Sequence, residues 1–127
     1  MTLLLVVAGA FVGAPLRYLT DLFIQSRHRS VMPWGTFTVN VTGSLVLGAV
    51  MGATSAAGWP PWVATVVGTG FCGALTTFST FGFENVRLVE DGAVLEALAN
   101  VVLSLLAGVV AVFGGWAMAT ALVSGLS

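Results

Sequence analysis

The chain has 127 residues, 57% of them apolar and only 7% charged, with four Arg, no Lys, five Asp or Glu and a formal net charge of −1. A soluble domain carries roughly 25% charged residues and a disordered chain needs low hydropathy with high charge, so both classes are excluded. Nucleic acid is excluded by the lack of any basic run, and a lone Cys72 with a lone His28 excludes an intrachain disulfide or a thiol–imidazole zinc cluster.

What remains is a small polytopic membrane protein. A bilayer core of about 30 Å takes about 20 apolar residues per helix. The first span runs from Thr2 to about Phe23. A cleaved signal peptide would start with a basic region, whereas the first basic side chain here is Arg17, so the segment reads as a retained helix. Gly9 and Gly13 form a GxxxG contact pair on it. Arg17 and Asp21 lie four apart. They can pair on one face, or Arg17 can draw anions to a pore mouth.

Residues 30–83 carry no charge, which is too long for one span and suits two. Gly58-Trp59-Pro60-Pro61 marks the turn between them, because proline removes a donor and clashes inside a helix. The second span is therefore about Trp34 to Ala56. Thr36, Asn40 and Ser44 recur at i, i+4, i+8 and share a face. Ser44, Gly48 and Gly52 continue the small-residue spacing that tight helix contacts need, and the glycines together predict a close bundle completed by a second chain. Asn40 opens an N-x-T sequon, but at a position buried in the membrane.

The third span starts near Trp62 and holds the most informative stretch, Gly68 to Glu84. Three glycines and then four hydroxyl residues (Thr76, Thr77, Ser79, Thr80) interrupt an apolar helix. Glycine and β-branched threonine lower helix propensity, so a break is expected near Gly73 to Thr77. Irregular backbone at membrane depth is tolerated where it is buried or lines a wet cavity. It exposes carbonyls suited to a cation and amides suited to an anion. Phe78 and Phe81 share a face if the helix resumes, and their positive ring edges can meet an anion. Residues 97–127 are again uncharged and hold a fourth span, on which Asn100, Ser104 and Gly108 line up. Polar groups in a span face the bundle interior. No hydrophilic stretch separates the spans, so residues 1–127 read as one all-α domain. Arg27, Arg29 and Arg87 fall on the same side of a four-span chain, which predicts cytoplasmic loops at 24–33 and 84–92.

The motifs resemble a known family. Gly9-Ala10-Phe11-Val12-Gly13-Ala14-Pro15-Leu16-Arg17-Tyr18 is similar to its GGxxGAxxRY-like start. Pro33-Trp34-Gly35-Thr36-Phe37-Thr38-Val39-Asn40-Val41-Thr42-Gly43-Ser44 is similar to its PxGTxxxNxxGS segment. Gly70-Phe71-Cys72-Gly73-Ala74-Leu75-Thr76-Thr77-Phe78-Ser79-Thr80-Phe81 resembles its GxCGGxTTFSTF signature, with Ala74 in place of the second glycine. The family is that of the Fluc/CrcB fluoride channels, and the resemblance covers essentially the whole chain in order and spacing.

The resemblance implies a passive fluoride-selective channel in the plasma membrane (a bacterial-type inner membrane) that lowers cytoplasmic fluoride. It implies a dual-topology-type dimer of antiparallel subunits with two pores. It makes Phe78 and Phe81 the pore phenylalanines and Asn40 the pore asparagine. Thr36 shares that face, and Ser104 and Asn100 extend the polar track. It makes Gly73 and Thr76 main-chain carbonyl ligands of a structural sodium ion at the dimer interface, and Arg17 the vestibule arginine. Fluoride is small and strongly hydrated, so uncharged amide, hydroxyl and ring-edge donors suit its passage, because conduction needs binding weak enough to release.

The arginine asymmetry sits uneasily with a chain that inserts both ways, and a partnership with an oppositely oriented paralogue is the alternative to a homodimer. Two other functions compete. A proton-coupled four-span transporter needs an acid mid-membrane, and residues 22–83 have none. An accessory subunit would need the glycine contacts but not the Thr-Thr-Phe-Ser-Thr-Phe block. An enzyme is not expected, since no nucleophile–base pair or metal set is visible.

Overall fold

The computed structural model describes residues 2–27 and 32–126. His28 and Arg29 of the first basic loop lie outside the described residues. The described chain is all-helical, with four helical stretches long and apolar enough to cross a membrane.

Helix α1 is Thr2–Arg27 and α2 is Trp34–Ala57. The first therefore continues a full turn beyond the expected Phe23, because Asp21, Gln25 and Arg27 keep helical geometry after the apolar run ends. Helix α2 stops at Gly58, whose φ of 69° is a left-handed conformation that favours glycine. Pro60 then takes φ −58° and ψ 145°, and Pro61 begins α3 (Pro61–Val63) where a missing amide costs nothing.

The third span continues as a π-helical segment, Ala64–Cys72, and then α4, Gly73–Leu75. Thr76 is extended, with φ −80° and ψ 160°, and α5 runs from Ser79 to Glu90. A tight turn follows, in which the Ala93 amide reaches back to the Leu88 carbonyl at 2.8 Å and Gly92 takes φ 81°. The last helix, α6, is Val94–Leu126. Its 33 residues span about 50 Å at 1.5 Å each, well beyond the hydrocarbon core.

Backbone-to-backbone contact holds these rods together. The α2–α6 seam is the most extensive in the molecule. Gly48 lies against the Val112 backbone and Gly52 against that of Trp116, while Gly115 answers from α6 against Leu45 and Ala49. A β-carbon at Gly48 or Gly115 would strike main chain rather than a side chain that could swing away. On α1, Gly9 and Gly13 meet Val66 and Phe71 of the π-helical segment in the same manner. These glycines make the close helix contacts expected of them, inside one chain. Outward faces are apolar, as lipid requires: Phe11, Val110 and Phe113 are all exposed.

Candidate functional site

The site grows out of the junction between α4 and α5. In a continuing α-helix the Thr77 amide would donate to the Gly73 carbonyl. It donates instead to Asn40 Oδ1 at 2.7 Å, and Asn40 Nδ2 donates to the Thr77 carbonyl at 3.1 Å. One side chain of α2 therefore supplies both the acceptor for the amide and the donor for the carbonyl of a buried residue that has left the helix. The Gly73 carbonyl is released from the bond Thr77 would have made.

The hydroxyls complete the junction. Thr76 Oγ1 donates to the Cys72 carbonyl at 2.8 Å, a bond that fits the last turn of α4. Thr77 Oγ1 accepts from the Thr80 amide at 3.1 Å and satisfies one of the open amides that begin α5. The run Thr76 to Thr80 is thus hydroxyl-rich because this junction needs local partners.

Beside the junction lies a cavity of about 550 Å³, open to the surface of the chain, onto which Asn40, Ser44, Thr76, Phe78, Phe81 and Ser104 face. Its lining residues include no charged side chain among the described residues. Asn40 Nδ2 carries two hydrogens and spends one on Thr77, which leaves the other for a ligand. The rings of Phe78 and Phe81 stand 6.1 Å apart, tilted by 40°. Phe78 is 83% exposed, so this wall of the cavity is open. Gly43, Gly73 and Gly108 keep the remaining wall low.

The other expected residues are distributed differently. Thr36 is buried, two per cent exposed, and lies beside the Glu84 carboxylate rather than on this cavity. Glu84 borders a separate space of about 370 Å³ with Trp34, Arg87 and Asp91, and its Oε1 is buried without a hydrogen-bond partner. Asn100 is fully buried behind the cavity wall. There it donates to Asn85 Oδ1 at 2.9 Å and accepts from Ser104 Oγ at 3.2 Å. Gly73 and Thr76 both border the open side of the cavity. Arg17 is half-buried on α1. Asp21 accepts from Gln25 Nε2 at 3.1 and 3.2 Å, and no ion pair joins it to Arg17 among the described residues.

Sequence reasoning overlooked two participants. Thr77 is the residue whose backbone Asn40 holds, and Asn85, which accepts from Asn100, donates to the Phe81 carbonyl at 3.0 Å. The available signal was that Asn40, Asn85 and Asn100 are all the asparagines of a chain with hardly any polar amides.

Comparison with known proteins covers nearly the whole chain. The family model for "CrcB-like protein, Camphor Resistance (CrcB)" matches residues 4–116. The chain is 58% identical, over 96% of its own length and 95% of the other's, to a Frankia casuarinae protein named "Fluoride-specific ion channel FluC 1". It is 56% identical to a Streptomyces avermitilis protein of the same name, over 96% of this chain and 98% of that one. A Methanocaldococcus jannaschii protein named "Fluoride-specific ion channel FluC" is 38% identical over 94% and 95% of the two chains.

Proposed function

We propose, from the premise that this chain belongs to the CrcB family of fluoride-specific ion channels, that it passes fluoride down its gradient and out of the cytoplasm. The observation that carries this reading is the uncharged cavity on which Asn40, Ser104, Phe78 and Phe81 converge. An enzyme is not in question for such a chain, and four apolar spans make it a multi-pass membrane protein.

Fluoride gives up hydration only if donors replace it. The second Asn40 amide hydrogen, the Ser44 and Ser104 hydroxyls and the positive ring edges of Phe78 and Phe81 are such donors. None carries a full charge, so the ion is held weakly enough to leave. Arg17, with no acid paired to it among the described residues, raises the local anion concentration at one mouth. Thr36 and Asn100 serve the track from outside this cavity, Thr36 beside Glu84 and Asn100 through Ser104.

The open wall calls for a second chain, oppositely oriented, which would make two pores per dimer. The carbonyls at this wall suit a structural sodium ion. Gly73 has been relieved of a helical bond, its surroundings are open where a side chain would stand, and Thr76 follows in extended conformation. Helix C-terminal and unwound carbonyls are the groups that hold sodium in membrane proteins. Gly73 and Thr76 from each of two chains would form the set, and the ion would lend positive potential where no side chain does.

The test is fluoride-electrode efflux from liposomes made with the purified protein, with Phe81→Ile beside it. Rapid fluoride loss without chloride loss, diminished in Phe81→Ile, is expected. Absence of fluoride efflux from well-folded protein overturns the reading.

A further inference from the structure

We infer that Asn85 is a positioning residue that fixes the polarity of the hydrogen-bond chain behind the cavity, and so sets how firmly Ser104 holds fluoride. The inference rests on the function proposed above. Its starting point is an acceptor that cannot be reversed: a carbonyl has no proton to give. Asn85 meets the Phe81 carbonyl at 3.0 Å, so it must turn its NH2 there and its Oδ1 away. Asn100, 2.9 Å from that Oδ1, must then present its own NH2 to Asn85 and its Oδ1 to the far side. Ser104 Oγ stands 3.2 Å from Asn100 Oδ1 and gives its one proton to it. Asn100 is one per cent exposed, so no water competes for its own amide group.

The consequence reaches the cavity, which Ser104 lines and Asn85 does not. An anion that enters must compete with Asn100 Oδ1 for the Ser104 proton. The donor is therefore available at a discount in strength, which favours release. Without Asn85, Asn100 can turn its amide over and offer Ser104 an NH2. Ser104 then accepts from Asn100 and donates wholly to the ion.

The experiment is fluoride current across planar bilayers against fluoride concentration, for wild type, Asn85→Leu and Asn85→Ala, each also in a Ser104→Ala background. The Asn85 variants should lower the half-saturating fluoride concentration by about fivefold, the factor of one neutral hydrogen bond, and lower the maximal current with it. In the Ser104→Ala background the Asn85 changes should shift neither. If Asn85→Leu does not fold, Asn85→Ala carries the comparison. An unchanged half-saturating concentration, even with reduced current, overturns the inference, as does an equal shift without Ser104. Absence of fluoride current in the wild type overturns the parent reading instead, and is told apart by that.

Discussion

Replacing Asn40 with alanine removes two hydrogen bonds to the backbone of a single residue, the amide and the carbonyl of Thr77, made across 37 residues of sequence. Thr77 is buried at nine per cent exposure. Each of its orphaned backbone groups costs roughly 1–3 kcal/mol when left unpaired. About 1.5 kcal/mol per group applies here, in the lower half of that range, because the neighbouring cavity is open and water can reach the junction; a total of about 3 kcal/mol for the two groups follows. The Thr77 amide can also fall back on the Gly73 carbonyl, which reseals the helix and withdraws that oxygen from the open wall. If conduction needs the junction as it stands, about 3 kcal/mol leaves on the order of one channel in a hundred competent. Fluoride efflux from proteoliposomes should therefore fall about a hundredfold, with protein still monodisperse in detergent but melting earlier. Asn40→Ala efflux within about twofold of wild type, at equal protein incorporation, refutes the argument, since one decade is about 1.4 kcal/mol.

Further outcomes follow from the same geometry. Phe78→Ile and Phe81→Ile should each slow fluoride efflux about three- to tenfold, the worth of one aromatic contact, and unchanged efflux in both dismisses the ring edges as donors. Gly48→Ala should lower the melting temperature far more than Gly108→Ala. The first β-carbon strikes the Val112 backbone, whereas the second meets Ser44 Oγ at 3.7 Å, an ordinary contact; overpacking of the first kind costs about 1–3 kcal/mol or more, and equal melting shifts count against the seam as described. Exchange of sodium for choline throughout purification should lower both melting temperature and flux, because a ligand of the native state stabilises it by mass action; identical melting in the two salts removes Gly73 and Thr76 from the sodium assignment.

The four spans were legible because each signal for them is local. Charge gaps and the Pro60-Pro61 turn place α2 within a residue of its observed Trp34–Ala57. The overlong α1 and α6 were less so, since a helix stops by capping and packing rather than where apolar character ends. Nothing in residues 64–72 distinguishes π-helical from α-helical turns, which differ by which carbonyl each amide chooses. Asn40 stands out by itself as a polar amide within a span, whereas Phe78, Phe81 and Ser104 join it chiefly through the family resemblance, since two phenylalanines on one face read equally well as packing. Thr36 and Asn100 share faces with Asn40 and Ser104 but lie one turn along their helices from them, outside the cavity, and periodicity does not say at what depth a cavity ends. Asn85 was hidden by its neighbours: next to Glu84 and Arg87 it reads as part of a solvated helix end, and only the approach of α6 gives its amide a buried partner.

The interlocked glycines of α2 and α6 have a bearing on how this lineage can diverge. Ser44 and Ser104 project into the cavity from two rods whose separation is set by main chain pressed on main chain. Point changes among the lining residues can retune grip on an ion yet leave the bore alone. Moving Ser44 and Ser104 further apart would demand a new seam, with small residues rewritten on both rods together, and single-step drift offers no gradual route to that.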